Sequence, residues 1–180
     1  EIRKVLTKIG SDKMSLDPDK KSVRFLEKGM KIDLGGIAKG YAVDRAVQIL
    51  KENGIKNAVV AAAGDIYCMG IKSETKKWFV GIRDPARKNK IIKKVELENM
   101  AISTSGGYEQ YFELAGKRYS HIINPKTGRP VETDLLSATI VAKDNLTADA
   151  LATTVFVLGK EKGLVLINGL EDVRVEIINK

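Results

Sequence analysis

The chain has 180 residues, 43% hydrophobic and 30% charged, a balance that suits a domain burying a real core and excludes a disordered or low-complexity segment. No apolar run is long enough to span a bilayer, and the single cysteine, Cys68, excludes an internal disulfide and a cysteine-based zinc site. The net charge of +8 attracts phosphates in general, but its densest cluster, Arg87 to Lys94, lacks the interleaved aromatics of a single-strand binder, so it reads as a solvated basic surface and no nucleic-acid partner is expected.

Residues 1 to 34 read as a short helix end, a turn at Asp17-Pro18-Asp19, and two strands, Val23 to Leu26 and Met30 to Leu34. Gly35-Gly36 breaks the extended pattern. A helix follows from Ile37 to Asn53, with Ala42, Val43, Ala46, Val47 and Leu50 at helical spacing and Gly54 placed to end it. Ala58 to Ala63 is apolar throughout and predicts a strand buried on both faces.

The middle of the chain predicts a β-meander. Its strands are Ile66 to Ile71, Lys77 to Ile82, Ile91 to Leu97, Ala101 to Thr104, Tyr108 to Leu114 and Arg118 to Ile123, divided by glycine and proline turns. A strand from Leu136 to Ala142, a helix at Leu146 to Leu158, a helical turn near Glu161 to Ile167, and a strand at Val173 to Ile178 complete the pattern. No linker composition intervenes, so one α/β (α+β) domain over residues 1 to 180 is expected. Cys68 lies in an apolar stretch and reads as a small buried hydrophobe.

Four stretches could carry chemistry. Asp33-Leu-Gly-Gly-Ile-Ala-Lys-Gly-Tyr-Ala-Val-Asp44 puts glycines and Lys39 at a helix start, where phosphate is welcome; it fits neither the P-loop nor the dinucleotide fingerprint, and a plain strand-to-helix turn explains it equally. Asp149 and Thr153 stand four apart on a helix, so their oxygens share one face and can serve a hard cation. An acid in the first helical turn and a threonine bonded to its own backbone are the alternative. His121, the only histidine, opens the polar turn His121 to Pro130 and can supply a base near neutral pH, or it can be structural. Ser103-Thr-Ser-Gly-Gly-Tyr108 reads as a polar glycine turn, either a simple hairpin or a loop against phosphate or ribose.

Taken in order, DLGGIAKGYAVD, AGDI, GIRDP, STSGGY, SHIINPKTGRPV and ADALATTVFVLG resemble the ApbE family over nearly the whole chain, from about Met14 onward. The resemblance implies a fold related to the T-fold, and an enzyme that uses Mg²⁺ to move FMN from FAD to a threonine or serine of an acceptor flavoprotein, such as a redox-pump subunit, releasing AMP. It also implies site residues. Asp149, Thr153 and the main-chain carbonyl of Gly36 would hold the metal, Asp33, Lys39 and Ile123 would contact FAD, and His121 and Asp149 would be catalytic. FAD hydrolysis to FMN and AMP, or flavin binding without turnover, are the alternatives.

Two departures stand out: Ala63 where the family usually has glycine in Gly-Gly-Asp-Ile, and Gly107 where an acid is common. The resemblance further implies that this is the C-terminal part of a longer lipoprotein. An N-terminal segment would complete the FAD pocket and carry the membrane anchor, so an extracytoplasmic location is expected. Asp134 to Thr139 resembles the acceptor motif such enzymes modify, but it falls in an expected buried strand and reads as core.

Overall fold

A computed structural model describes residues 1–87, 89–108 and 111–179. Lys88 of the basic cluster and Glu109 and Gln110 of the expected Tyr108 to Leu114 strand lie outside the described residues. The chain divides into two compact units, one of Glu1–Asp33 with Tyr111–Val131 and one of Leu34–Gln110 with Glu132–Lys180.

The first unit is built from local hairpins. After the short helix α1 (Ile2–Leu6), strands β1 (Met14–Asp17) and β2 (Ser22–Phe25) pair antiparallel. Their turn is held by Asp17, whose Oδ1 accepts from the Lys20 N–H at 2.9 Å, the local side-chain bond that makes aspartate a turn residue. The expected strand from Met30 to Leu34 does not form; a strand needs a paired backbone, and among the described residues no strand lies alongside it. Strands β8 (Tyr111–Leu114) and β9 (Lys117–Ser120) form a second hairpin through left-handed Ala115 and Gly116, the backbone sense that matches strand twist. Phe112 stacks on Tyr119 across it, with centroids 5.1 Å apart. The expected strand from Arg118 to Ile123 is broken at His121 and Ile122, and the chain then makes a smaller hairpin, β10 (Ile123–Asn124) with β11 (Arg129–Pro130).

The second unit holds the helices and the main sheet. Helix α2 (Ala38–Glu52) is followed by β3 (Ala58–Ala62), β4 (Asp65–Met69), the hairpin β5 (Trp78–Arg83) with β6 (Ile91–Leu97), and β7 (Met100–Gly106). Then come β12 (Leu135–Ala142), helices α3 (Asn145–Leu158) and α4 (Lys160–Asn168), and β13 (Arg174–Asn179). The five-stranded sheet runs β13-β12-β7-β4-β3 and is antiparallel at every pairing. The central antiparallel sheet with flanking helices is the architecture expected, but its strands are not joined in simple succession. β5 and β6 leave as a separate pair, and β7 returns to lie beside β4.

Alternation along the strands sends residues to opposite faces. Cys68, Ile102 and Val141 face the β5–β6 hairpin and join Ile82 and Leu97 in one apolar cluster. Their neighbours Tyr67, Ala101 and Ile140, also buried, take the other face, where α2 supplies Val43 and Val47 and α3 supplies Ala148, Ala152, Val155 and Phe156. Cys68 is therefore the small core hydrophobe expected, and burial pushes its thiol up to about 11. The strand Asp134 to Thr139 lies mostly in β12, with Leu135, Ser137, Ala138 and Thr139 buried, so it is core.

β3 departs from expectation. Its residues alternate between half-buried and exposed, because it is the edge of the sheet and Val59 is left 44% exposed. An apolar strand composition does not distinguish edge from centre.

The second turn of α2 is fastened to the start of α3. The carboxylate of Asp44 in α2 accepts the N–H groups of Asn145 and Leu146, each at 2.8 Å. Asp144 caps the same helix by accepting from the Thr147 N–H at 2.7 Å. Three of the N–H groups that a helix start leaves unpaired are thus satisfied by carboxylates. This fixes the register of α3, and with it the position of Asp149 one turn further on.

Candidate functional site

The second unit brings three charged side chains to one point. Lys39 lies in the first turn of α2, Asp149 in the second turn of α3, and Asp65 opens β4. Lys39 Nζ donates to Asp149 Oδ1 at 3.1 Å and lies 3.3 Å from Asp65 Oδ2. Both aspartate side chains are 2% exposed, whereas that of Lys39 is 41% exposed. Buried carboxylates are rare without a partner, and here two of them share a single ammonium.

The α2 helix start adds to this. The Gly40 N–H, one of those without an intrahelical acceptor, donates to Asp149 Oδ2 at 3.1 Å. A carboxylate at a helix N-terminus is stabilised by the dipole as well as by the hydrogen bond. Gly40 is required for the approach: a Cβ there would sit 2.4 Å from the Asn145 carbonyl oxygen and 2.9 Å from Asp149 Cβ.

β7 contributes hydroxyls from the same sheet face. The Ser103 hydroxyl donates to Asp65 Oδ1, and Ser105 Oγ lies 3.0 Å from Thr153 Oγ1 in hydrogen-bond contact. Asp65 Oδ2 is buried and accepts no hydrogen bond, since its approach to Lys39 is close but misaligned. Burial pushes the Asp65 carboxyl above its usual range, against the Ser103 bond that favours its charge. For Lys39 burial works against the ammonium, but the Asp149 hydrogen bond and the two nearby carboxylates outweigh it and leave the pKa raised.

Of the residues singled out from the sequence, Lys39 and Asp149 are in direct contact. Thr153 is one turn beyond Asp149, with Ser105 as its partner. Gly36 is exposed in the turn before α2, and a Cβ there would meet nothing within 4 Å. The close approach between α2 and α3 is made at Gly40. Asp33, His121 and Ile123 belong to the first unit; Ile123 is 49% exposed in β10, and Asp33 and His121 are exposed. Asp33 also borders a cleft of about 1120 Å³ in that unit, whose lining does not include the aspartate pair.

Ser103 lies in the strand expected from Ala101 to Thr104, but β7 runs on through Ser105 to Gly106 and the chain turns only after it. Asp65 and Ser103 were not singled out individually from the sequence. A signal for Asp65 exists: an acid directly after the Ala63-Gly64 turn and before an apolar strand is charged where a core residue belongs.

The oxygens assembled here come from two carboxylates and three hydroxyls, a hard-donor set that suits Mg²⁺ or Ca²⁺ better than zinc. Among the described residues, no group of three or more His, Cys, Asp and Glu could hold a metal. Such a cation would therefore need water or substrate oxygens, as Mg²⁺ sites on phosphate substrates commonly do.

Comparison with known proteins finds relatives along the whole chain. The FAD:protein FMN transferase of Treponema pallidum is 41% identical over 157 residues, covering 81% of this chain and 43% of that protein. That of Klebsiella pneumoniae is 33% identical over 181 residues, covering 100% of this chain and 55% of that protein. The chain thus spans about half the length of the curated relatives it matches. The crystal structure of the ApbE protein from Thermotoga maritima superposes with a TM-score of 0.88 at 39% identity, over 99% of this chain and 58% of that one. The flavin transferase ApbE from Vibrio cholerae gives 0.86 at 31% identity, over 99% and 56%. The family model described as the ApbE family matches residues 1–177, and the chain belongs to that family.

Proposed function

We propose that this chain supplies the metal- and phosphate-binding part of an FAD:protein FMN transferase, which moves FMN from FAD onto a threonine or serine hydroxyl of an acceptor flavoprotein and releases AMP. The observation that carries the reading is the buried Asp65–Asp149 pair, served by one ammonium at a helix N-terminus. Two carboxylates against one lysine leave a negative site lined with hard oxygens, suited to Mg²⁺. The names of the relatives supply the reaction.

In the transfer, the acceptor oxygen attacks the phosphorus on the FMN side of the pyrophosphate. A new P–O bond forms as the bond to the bridging oxygen breaks, and that oxygen leaves with AMP. Asp149, Thr153 and the Gly36 carbonyl would hold Mg²⁺, which neutralises charge on the pyrophosphate oxygens when bound. Lys39 and the N-terminus of α2 add positive potential toward the leaving phosphate. His121 takes the proton of the acceptor hydroxyl. Asp33 and Ile123 contact the FAD.

The test is FAD, Mg²⁺ and an acceptor peptide incubated with the complete enzyme that contains this chain, with covalent flavin fluorescence on the peptide as the readout. The wild-type protein should label the peptide, and Asp149→Ala should lose labelling and Mg²⁺ binding while remaining folded by circular dichroism. Normal labelling by Asp149→Ala defeats the metal assignment. Steady AMP release without peptide would assign FAD hydrolysis instead.

A further inference from the structure

Asp65 contributes charge to the pair but was assigned neither a ligand nor a catalytic role, and it is one of the most deeply buried charges in the second unit. Its Oδ1 is clamped by the Ser103 hydroxyl, and its Oδ2 faces Lys39 Nζ at 3.3 Å without accepting a hydrogen bond. Lys39 spends its aligned bonds on Asp149, at 3.1 and 3.4 Å to the two oxygens. One carboxylate is therefore fully engaged and the other holds an acceptor in reserve. The lysine between them is 41% exposed, so its four-carbon stem has room to turn.

A divalent cation on Asp149 would meet an ammonium already bonded to the same carboxylate. Like charges cannot share that oxygen pair in a low-dielectric pocket, so Lys39 must give way. From this geometry we infer that Asp65 is a positioning residue for Lys39. When a divalent cation takes Asp149, the ammonium is handed to the unsatisfied Oδ2 of Asp65 and is kept beside the metal rather than released to solvent. The Ser103 bond holds Asp65 aimed for the transfer, and Lys39 stays where a phosphate oxygen next to the cation can meet it. The inference rests on Asp149 as a metal ligand.

Mn²⁺ is a suitable probe for the wild-type chain, because it has Mg²⁺-like oxygen preferences and an anomalous signal. A crystal structure with Mn²⁺ should show the ion on Asp149, with Lys39 Nζ moved off Asp149 and drawn in from its present 3.3 Å to an aligned hydrogen bond with Asp65 Oδ2. Mn²⁺ on Asp149 with Nζ unmoved or turned out to solvent overturns the handover alone, as does Mn²⁺ bound directly by Asp65. No Mn²⁺ at Asp149 removes the metal assignment and the handover with it.

Mn²⁺ titration by calorimetry gives an independent check. Asp65→Asn should weaken binding by about 10- to 100-fold, the usual range for partners of metal ligands. A through-space charge effect would cost as much or more once Lys39 is gone, because nothing then screens Asp65. The handover requires the opposite: in a Lys39→Met background the loss from Asp65→Asn should shrink by about tenfold or more. Equal losses in both backgrounds would overturn it. Should Lys39→Met fail to fold, the crystal structure of the wild-type chain decides alone.

Discussion

Replacing Gly40 by alanine sets two effects of opposite sign against each other. Alanine in a helix is favoured over glycine by about 1 kcal/mol, so a helix considered alone predicts stabilisation. Here the new methyl would lie 2.4 Å from the Asn145 carbonyl oxygen and 2.7 Å from its carbon. Both are backbone atoms at the start of α3, tied in place by Asp44 and Asp144, and cannot swing aside as a side chain would. Overpacking of this kind costs about 1–3 kcal/mol. Pushing α3 back also stretches the Gly40 N–H bond to Asp149, a charge-assisted contact worth about 1.5–3 kcal/mol. The clash and the bond together exceed the propensity gain, so Gly40→Ala should destabilise by about 2–4 kcal/mol, or roughly 5–15 °C in Tm for a chain this size. Urea and thermal unfolding followed by circular dichroism measure it. Gly36→Ala is the control, since its methyl meets nothing within 4 Å and should change stability by less than about 0.5 kcal/mol. A Gly40→Ala variant as stable as wild type would refute the close-packing reading of the α2–α3 contact.

Other positions give smaller and distinct signals. Ala63 holds a left-handed backbone at φ +46°, which disfavours a residue with a Cβ; Ala63→Gly should raise the urea midpoint by the equivalent of about 0.5–1 kcal/mol, net of the added freedom of the unfolded chain, and a lower midpoint would count against the strain. Asp44→Ala removes both 2.8 Å caps on α3 and should cost about 1–2 kcal/mol, with faster hydrogen exchange at Asn145 and Leu146; unchanged exchange there would show the caps to be idle. Cys68 has its thiol raised from 9.0 to about 11 by burial. The unfolded chain thus loses this proton first as pH rises, so the stability linked to it is whole below pH 9.0 and lost as pH climbs through about 11. Wild-type urea midpoints should fall more steeply across that window than those of Cys68→Ala, and parallel slopes would contradict the assignment.

Much of the second unit was legible in the sequence because its signals are local. The spacing of Val43 and Val47 marks a helix face that the structure buries, and the step from Asp149 to Thr153 put their oxygens on one helix without any tertiary knowledge. The Asp65–Ser103 bond joins residues 38 apart; it exists only because β7 returns beside β4 after a hairpin excursion, and no local pattern encodes that pairing. Gly40 was not legible for a related reason. Gly35 and Gly36 look conspicuous before a helix, but which glycine another backbone approaches depends on where α3 lies, and that is Gly40.

The charged cluster runs against what folding alone would select. Two buried carboxylates with one partly exposed lysine cost more in desolvation than an apolar trio of similar volume would. The fold lowers that cost by three separate means: the helix start and N–H at Gly40, the hydroxyl of Ser103, and the ammonium of Lys39. None of them gives Asp65 Oδ2 a hydrogen bond, although Lys39 pairs with it at 3.3 Å. A purely structural ion pair would be met more cheaply by one aspartate and one lysine. The second carboxylate, clamped and left with an acceptor in reserve, becomes useful when another positive charge enters, and that is the physical ground for reading this corner of the fold as a place where a cation and a phosphate meet.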